Sequence, residues 1–202
     1  MSAAVTIIDI GAGNLGAVLA AFRRLDARVE VTRDPATIGA ATRLVLPGVG
    51  AAGPVMQSLR DAGLTDVLRA SCAPLLGICV GMQLLFERSD EGGVAGLALV
   101  PGEVRCLQPS PGVRVPHMGW NRLQRRAPSP LLDGIADDAQ AYFVHGYAAD
   151  GAHPDCIAAC EHGQAIAAVV QRGHRAGVQF HPERSASTGA RLLRNFLQWT
   201  PA

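Results

Sequence analysis

Cys79, His181 and Glu183 are the residues of this sequence whose types and settings suit covalent, nucleophilic chemistry. Cys79 stands between two glycines in Gly77-Ile78-Cys79-Val80-Gly81, after the apolar run Leu75–Ile78 and before Met82-Gln83-Leu84-Leu85-Phe86. The apolar run reads as a buried strand and the later segment as a helix. Glycines flanking one nucleophile suit a sharp strand-to-helix turn, which strains the central residue and leaves no room for side chains beside it. A thiol at a helix N-terminus also gains thiolate character from the unpaired N–H groups there. The competing reading is a buried, inert cysteine; the two glycines with strand and helix favour the nucleophile. In Gly177-Val178-Gln179-Phe180-His181-Pro182-Glu183, the histidine ends a strand and the glutamate follows a proline that fixes the turn. A thiol needs a base, and the base needs a third group to set its tautomer. Alone, this pair reads as a strand cap and a solvated carboxylate; beside the cysteine turn it reads as base and orienter.

Two other clusters compete. Gly11-Ala12-Gly13-Asn14-Leu15-Gly16 matches a dinucleotide fingerprint, with Asp34 at a suitable distance. It equally suits a tight βα turn, and a nucleotide-binding module would leave Cys79 without a purpose, so that reading ranks second. His153, Cys156, Cys160 and His162 lie close together but match no standard zinc spacing. Cys156–Cys160 reads as a strand with both thiols on one face, and no metal site is expected.

Composition narrows the rest. The 202 residues suit a single domain spanning 1–202, with a formal net charge of +1 and no basic run longer than two residues. The charge therefore argues against nucleic acid or an anionic membrane as the main partner. No apolar run is long enough to span a bilayer, and the first residues lack the basic start of a signal peptide. Five cysteines with no C-x-x-C pair suit a reducing, cytoplasmic setting. The sequence contains no lysine, which excludes Schiff-base chemistry and a Walker-type phosphate loop.

The elements that must position the three residues follow from periodicity. Strands are expected at 5–10, 29–32, 44–46, 75–78 and 177–180, with helices at about 15–25, 54–70 and 188–199. Alternating strands and helices argue for a parallel α/β sheet. Between them, 103–107, 113–116, 120–123, 141–147, 156–161 and 165–171 read as short strands or hairpins separated by Gly and Pro, an antiparallel addition.

The stretches 77–83 and 177–183 resemble the two signatures of class I glutamine amidotransferases, whose triad is Cys-His-Glu. Pro47-Gly48-Val49-Gly50, Pro116-His117-Met118-Gly119-Trp120-Asn121 and Tyr142-Phe143-Val144-His145 resemble, more narrowly, the glutaminase subunits of imidazole glycerol phosphate synthases. The match covers nearly the whole chain in order, and His117–Asn121 is its most discriminating part. The resemblance implies a flavodoxin-like, doubly wound, mainly parallel sheet with additional antiparallel β structure. It implies cofactor-free hydrolysis of glutamine to glutamate and ammonia, with ammonia passed through a (β/α)8-barrel cyclase in a heterodimer serving histidine biosynthesis. Carried over by position, Cys79 is the nucleophile, His181 the acid/base and Glu183 its orienter. The amides of Val49 and Val80 form the oxyanion hole, while Gly50, Gln83, Glu91, His145 and Gly146 bind glutamine. Asn14, Trp120, Tyr142 and Arg184 fall at or near the cyclase interface. Gly146 stands where the family usually has a small hydroxyl residue, and Arg184 replaces the usual lysine, keeping a cation but changing its geometry. Glycines 48 and 50 would permit the Val49 amide to turn inward when the partner docks. The glutaminase of another pathway is the closest alternative; a cysteine peptidase would not need Gln83 or Glu91.

Overall fold

The structure is a computed structural model; it describes residues 3–11 and 14–201, to which all counts and absences below refer. The elements in chain order are β1 (Ala4–Ile8), α1 (Leu15–Arg23), β2 (Arg28–Thr32), α2 (Pro35–Gly39), β3 (Leu44–Gly48), α3 (Ala52–Asp61) and α4 (Leu64–Ala70). There follow β4 (Leu75–Cys79), α5 (Val80–Gln83), β5 (Phe86–Ser89), β6 (Val94–Ala95), β7 (Val100–Cys106), β8 (His117–Arg122) and β9 (Gln124–Arg125). The last are β10 (Gln140–His145), β11 (Tyr147–Ala148), β12 (Cys156–Glu161), β13 (Ala165–Arg172), β14 (Arg175–Val178) and α6 (Ala186–Gln198).

The main sheet has the order β2-β1-β3-β4-β14-β13-β12-β9. From β2 to β14 neighbours run parallel, and from β14 to β9 antiparallel. The order 2-1-3-4 is that of flavodoxin-like sheets. β3, β4 and β14 are buried along their whole length, as parallel strands covered on both faces must be. A two-stranded β8–β10 ribbon and a four-stranded β11-β7-β5-β6 sheet complete the β structure. The parallel direction of β1, β3, β4 and β14 brings their C-terminal ends to one side, where such a sheet places its site.

Several expectations are corrected. The helix read over 54–70 is two helices, because Gly63 adopts φ +66° and its N–H closes on the Arg60 carbonyl at 2.9 Å, a common way to end a helix. The helix after Cys79 spans only Val80–Gln83. The carbonyls of Leu84, Leu85 and Phe86 are taken by amides of Leu97, Leu99, Val100 and Ala98, so tertiary pairing overrides the helical pattern there. Glu91 consequently sits beyond β5, where it opens a 3-10 turn. No strand forms over 113–116, where Val113 makes only an isolated bridge to Ser110. The short helix α2 has no counterpart in the reading from periodicity.

Candidate active site

The elbow around Cys79 is built by close backbone approach. Cys79 has φ +53° and ψ −112°, a region that side-chain-bearing residues rarely adopt. A Cβ on Gly77 would lie 2.6 Å from the Gly81 carbonyl oxygen, and one on Gly81 would lie 1.9 Å from that of Leu46 on β3. Glycine is thus required on both sides, and the neighbouring strand sets half of the constraint. Gly48 is pinned in the same way, since a Cβ there would lie 2.7 Å from the Gly81 nitrogen. The open position is Gly50, at φ +87° with nothing near an added Cβ. Gly48 thus serves the packing of β3 on the elbow, whereas at Gly50 it is the backbone angle, not crowding, that favours glycine.

Cys79, His181 and Glu183 line one cavity of about 420 Å³, together with Asn14, Val49, Gly50, Val80, Gln83, Glu91, His145, Gly146 and Arg184. His181 Nδ1 is 2.9 Å from Glu183 Oε1, which leaves Nε2 for the thiol. Burial alone would lower the His181 pKa. Its hydrogen bonds to Cys79 and Glu183, reinforced by their charges, outweigh burial and raise it to about 10. The side chains of His181 and Glu183 are 6% and 1% exposed, so that attraction is little screened. A four-residue α5 supplies little dipole, which corrects the emphasis placed on the helix N-terminus; imidazolium is the stronger partner for a thiolate. As the first residue of α5, Val80 has an N–H without an intrahelical acceptor. A thiol beside an oriented imidazole and a free backbone donor can attack an acyl carbon and hold the resulting oxyanion.

The other predicted positions divide. Gln83 is 3% exposed, and its amide donates to the Tyr147 carbonyl at 2.9 Å and to Gln179 Oε1 at 3.1 Å. Glu91 Oε2 accepts from the Ala52 N–H at 2.7 Å, anchoring that carboxylate at the start of α3. The carbonyl of Gly146 is occupied by the Leu107 N–H. An added Cβ there would meet only Val115, at 3.9 Å, so the backbone does not require glycine. Trp120 is 52% exposed and packs edge-on against Tyr142 across the β8–β10 ribbon at 5.9 Å. Asn14 and Arg184 line the cavity. Asp34 is spent on capping α2, accepting from the Thr37 N–H and hydroxyl at 2.8 and 2.6 Å. It is not free for a ribose; Ala12 and Gly13 of the glycine loop lie outside the described residues. Cys156 and Cys160 are buried on β12, and burial pushes their thiols up to about 11 and 12. His153 and His162 bond the carbonyls of Pro101 and Arg114.

Sequence reasoning missed Gln179 and Ser185. Gln179 is fully buried and donates to Cys79 Sγ at 3.8 Å; the only signal was a glutamine in an otherwise apolar strand. Ser185 Oγ accepts from the Tyr142 N–H and donates to the His181 carbonyl, at 2.9 and 2.7 Å. The Tyr142 carbonyl in turn accepts from the His181 N–H at 2.9 Å. The ribbon is thus stitched to the histidine turn.

His117 and His145 form a buried pair, Nδ1 to Nε2, at 3.0 Å. Burial, followed by the proximity of other histidines, lowers His117 to about 3; burial likewise lowers His145 to about 4. Both remain neutral when folded while the unfolded chain takes up protons from about pH 6.5 downward. Stability should therefore be lost as pH falls from about 6.5 toward 3, by a few kcal/mol for the pair. Urea unfolding against pH checks this: a flat midpoint across that range would contradict it, and His117→Asn should shallow the slope.

Comparison with known proteins fits this geometry. Residues 6–199 match the family described as glutamine amidotransferase class-I. The chain is 56% identical over 194 residues to an imidazole glycerol phosphate synthase subunit HisH from Xanthomonas euvesicatoria pv. vesicatoria, covering 96% of each chain. It is 52% identical over 198 residues to a protein of the same name from Xylella fastidiosa, covering 98% of each. Among solved structures it resembles a glutamine amidotransferase (TM-score 0.75, 19% identity, 96% and 97% of the two chains). It also resembles a glutamine amidotransferase from Thermotoga maritima (TM-score 0.61, 18% identity, 98% and 82%); these two likenesses bear on the fold alone. The chain belongs to the class I glutamine amidotransferases, within the group of HisH subunits that it matches over almost its whole length.

Proposed function

We propose that this protein is the glutaminase subunit of an imidazole glycerol phosphate synthase, acting through a thioester on Cys79. The observation that carries the mechanism is a cysteine at φ +53° whose sulfur faces an imidazole held by a buried carboxylate. Cys79 Sγ attacks the side-chain amide carbon of glutamine, and the oxyanion forms against the Val80 N–H, joined by Val49. His181 protonates the departing nitrogen, so that ammonia leaves and a γ-glutamyl thioester remains. The imidazole then takes a proton from water, which attacks the thioester carbonyl; glutamate is released and the thiolate restored. Glu183 holds the ring through Nδ1 and balances its charge. Gln83, Glu91 and the 145–147 backbone bound the side of the cavity where the amino-acid end of glutamine would lie.

The reading includes a (β/α)8-barrel cyclase docked over Met118, Trp120 and Tyr142, with Asn14 and Arg184 at the seam, and a cytoplasmic location. Met118 and Trp120 are two of the three large apolar residues that remain exposed, at 66% and 52%, and both lie on one face of β8. No helix among the described residues is long and apolar enough to cross a membrane.

The test is glutamate release from free glutamine, with and without a co-purified cyclase carrying its acceptor. Docking should raise kcat about a hundred- to a thousand-fold, the effect of completing one oxyanion donor. Equal hydrolysis of free glutamine and of internal glutamine in peptides would favour a peptidase instead.

A further inference from the structure

β8 has two faces with different tasks. Met118 and Trp120 point outward, whereas His117 is buried and Asn121 faces inward to the Glu161 carbonyl at 2.8 Å. From Asn121 a chain of hydrogen bonds runs into the site. Its amide nitrogen is 3.1 Å from His117 Nε2, His117 Nδ1 is 3.0 Å from His145 Nε2, and His145 Nδ1 is 2.9 Å from the Tyr147 carbonyl. That carbonyl also accepts from Gln83, which donates to Gln179, which donates to Cys79 Sγ.

The two ends fix the direction of the chain. An asparagine amide nitrogen can only donate and a carbonyl can only accept, and both rings are neutral near pH 7. Each histidine must therefore carry its proton on Nδ1 and accept at Nε2. His117 is clamped further between the rings of Phe143 and His162, with centroids 4.7 and 4.0 Å away.

We infer that His117 and Asn121 are positioning residues for glutamine: they lock the tautomer of His145 and so hold the 145–147 backbone against the substrate. Neither lines the cavity, so both act through His145. The strand that offers Met118 and Trp120 to a partner thereby also sets the glutamine side of the pocket. This deepens the proposed glutaminase function and rests on it.

The test has two arms. In the chain labelled with 15N-histidine, the neutral His117 and His145 rings should both show the Nδ1–H signature, distinct from the doubly protonated His181, and Asn121→Leu should move the His117 Nε2 resonance, which loses its donor. In the complex with the cyclase and its acceptor, His117→Leu leaves a buried acceptor on His145 and should raise KM for glutamine roughly ten- to a hundred-fold, with a smaller change in kcat. His117→Asn returns a donor and should recover most of that loss. Nε2–H tautomers on both rings, or a wild-type KM in His117→Leu, would overturn the inference. If His117→Leu fails to fold, KM decides through Asn121→Leu, where a rise supports the inference and an unchanged value refutes it. Wild-type protein that binds no glutamine would instead sink the functional reading, while the tautomer arm would still report on the chain.

Discussion

Replacing Cys79 or His181 by alanine is expected to lower glutamine turnover at least about ten-thousand-fold, with no added loss on combining them, because nucleophile and base act as a unit. The two are coupled through the interaction that raises His181 to about 10. Glu183→Gln should retain more activity. An amide can still meet Nδ1, at 2.9 Å in the native pair, but offers no charge to stabilise imidazolium. Ammonia-dependent synthesis by the complex should survive all three changes, since they remove only the source of ammonia. Steady-state glutamate release with the partner present checks this; wild-type rates in Cys79→Ala would end the mechanism.

A second large effect is expected at Gly81. An alanine there places Cβ 1.9 Å from the Leu46 carbonyl oxygen, and the obstacle is backbone rather than a flexible side chain. Strand β3 and the elbow cannot both stay in place, and the loss should be on the order of 3–5 kcal/mol in unfolding free energy. The same change at Gly53, inside α3, meets only Val94 at 3.6 Å. It should be neutral or stabilising by about 0.5–1 kcal/mol, as alanine is in helices. Urea denaturation of both variants separates specific close approach from a general sensitivity of glycine positions. A Gly81→Ala protein as stable and active as wild type would show that the elbow tolerates a side chain.

These two effects also show how much the sequence made visible. The parallel half was readable because buried strands are continuous apolar runs, as in Leu44–Leu46 and Leu75–Ile78. The need for Gly77 and Gly81 could be argued from the motif, but not that Leu46, on another strand, supplies the collision. Local periodicity also could not foresee that the amides of 97–100 would claim the carbonyls after Gln83. Such pairings are non-local, and the helical pattern of 82–86 gives no hint of them. At the site, residues within the two signatures were legible. How His117, Asn121 and His145 link to Gln83 and Gln179 was not, because β8, β10, α5 and the turn after β14 meet only in the folded chain. Asp34 is the opposite case: a spacing suited to a ribose partner, in the reading ranked second, belongs here to a helix cap.

The most direct measurement is peptide mapping after treatment with an electrophilic glutamine analogue, with the cyclase present. Cys79 should be modified stoichiometrically, since it alone among the cysteines lines the cavity with His181. Cys156 and Cys160 should remain unmodified, buried as they are with thiols pushed up to about 11 and 12. The exposed Cys72 and Cys106 should react no faster than a free thiol, and competing glutamine should protect Cys79 alone. Label on Cys72, Cys106 or Cys160 with Cys79 untouched would contradict the account.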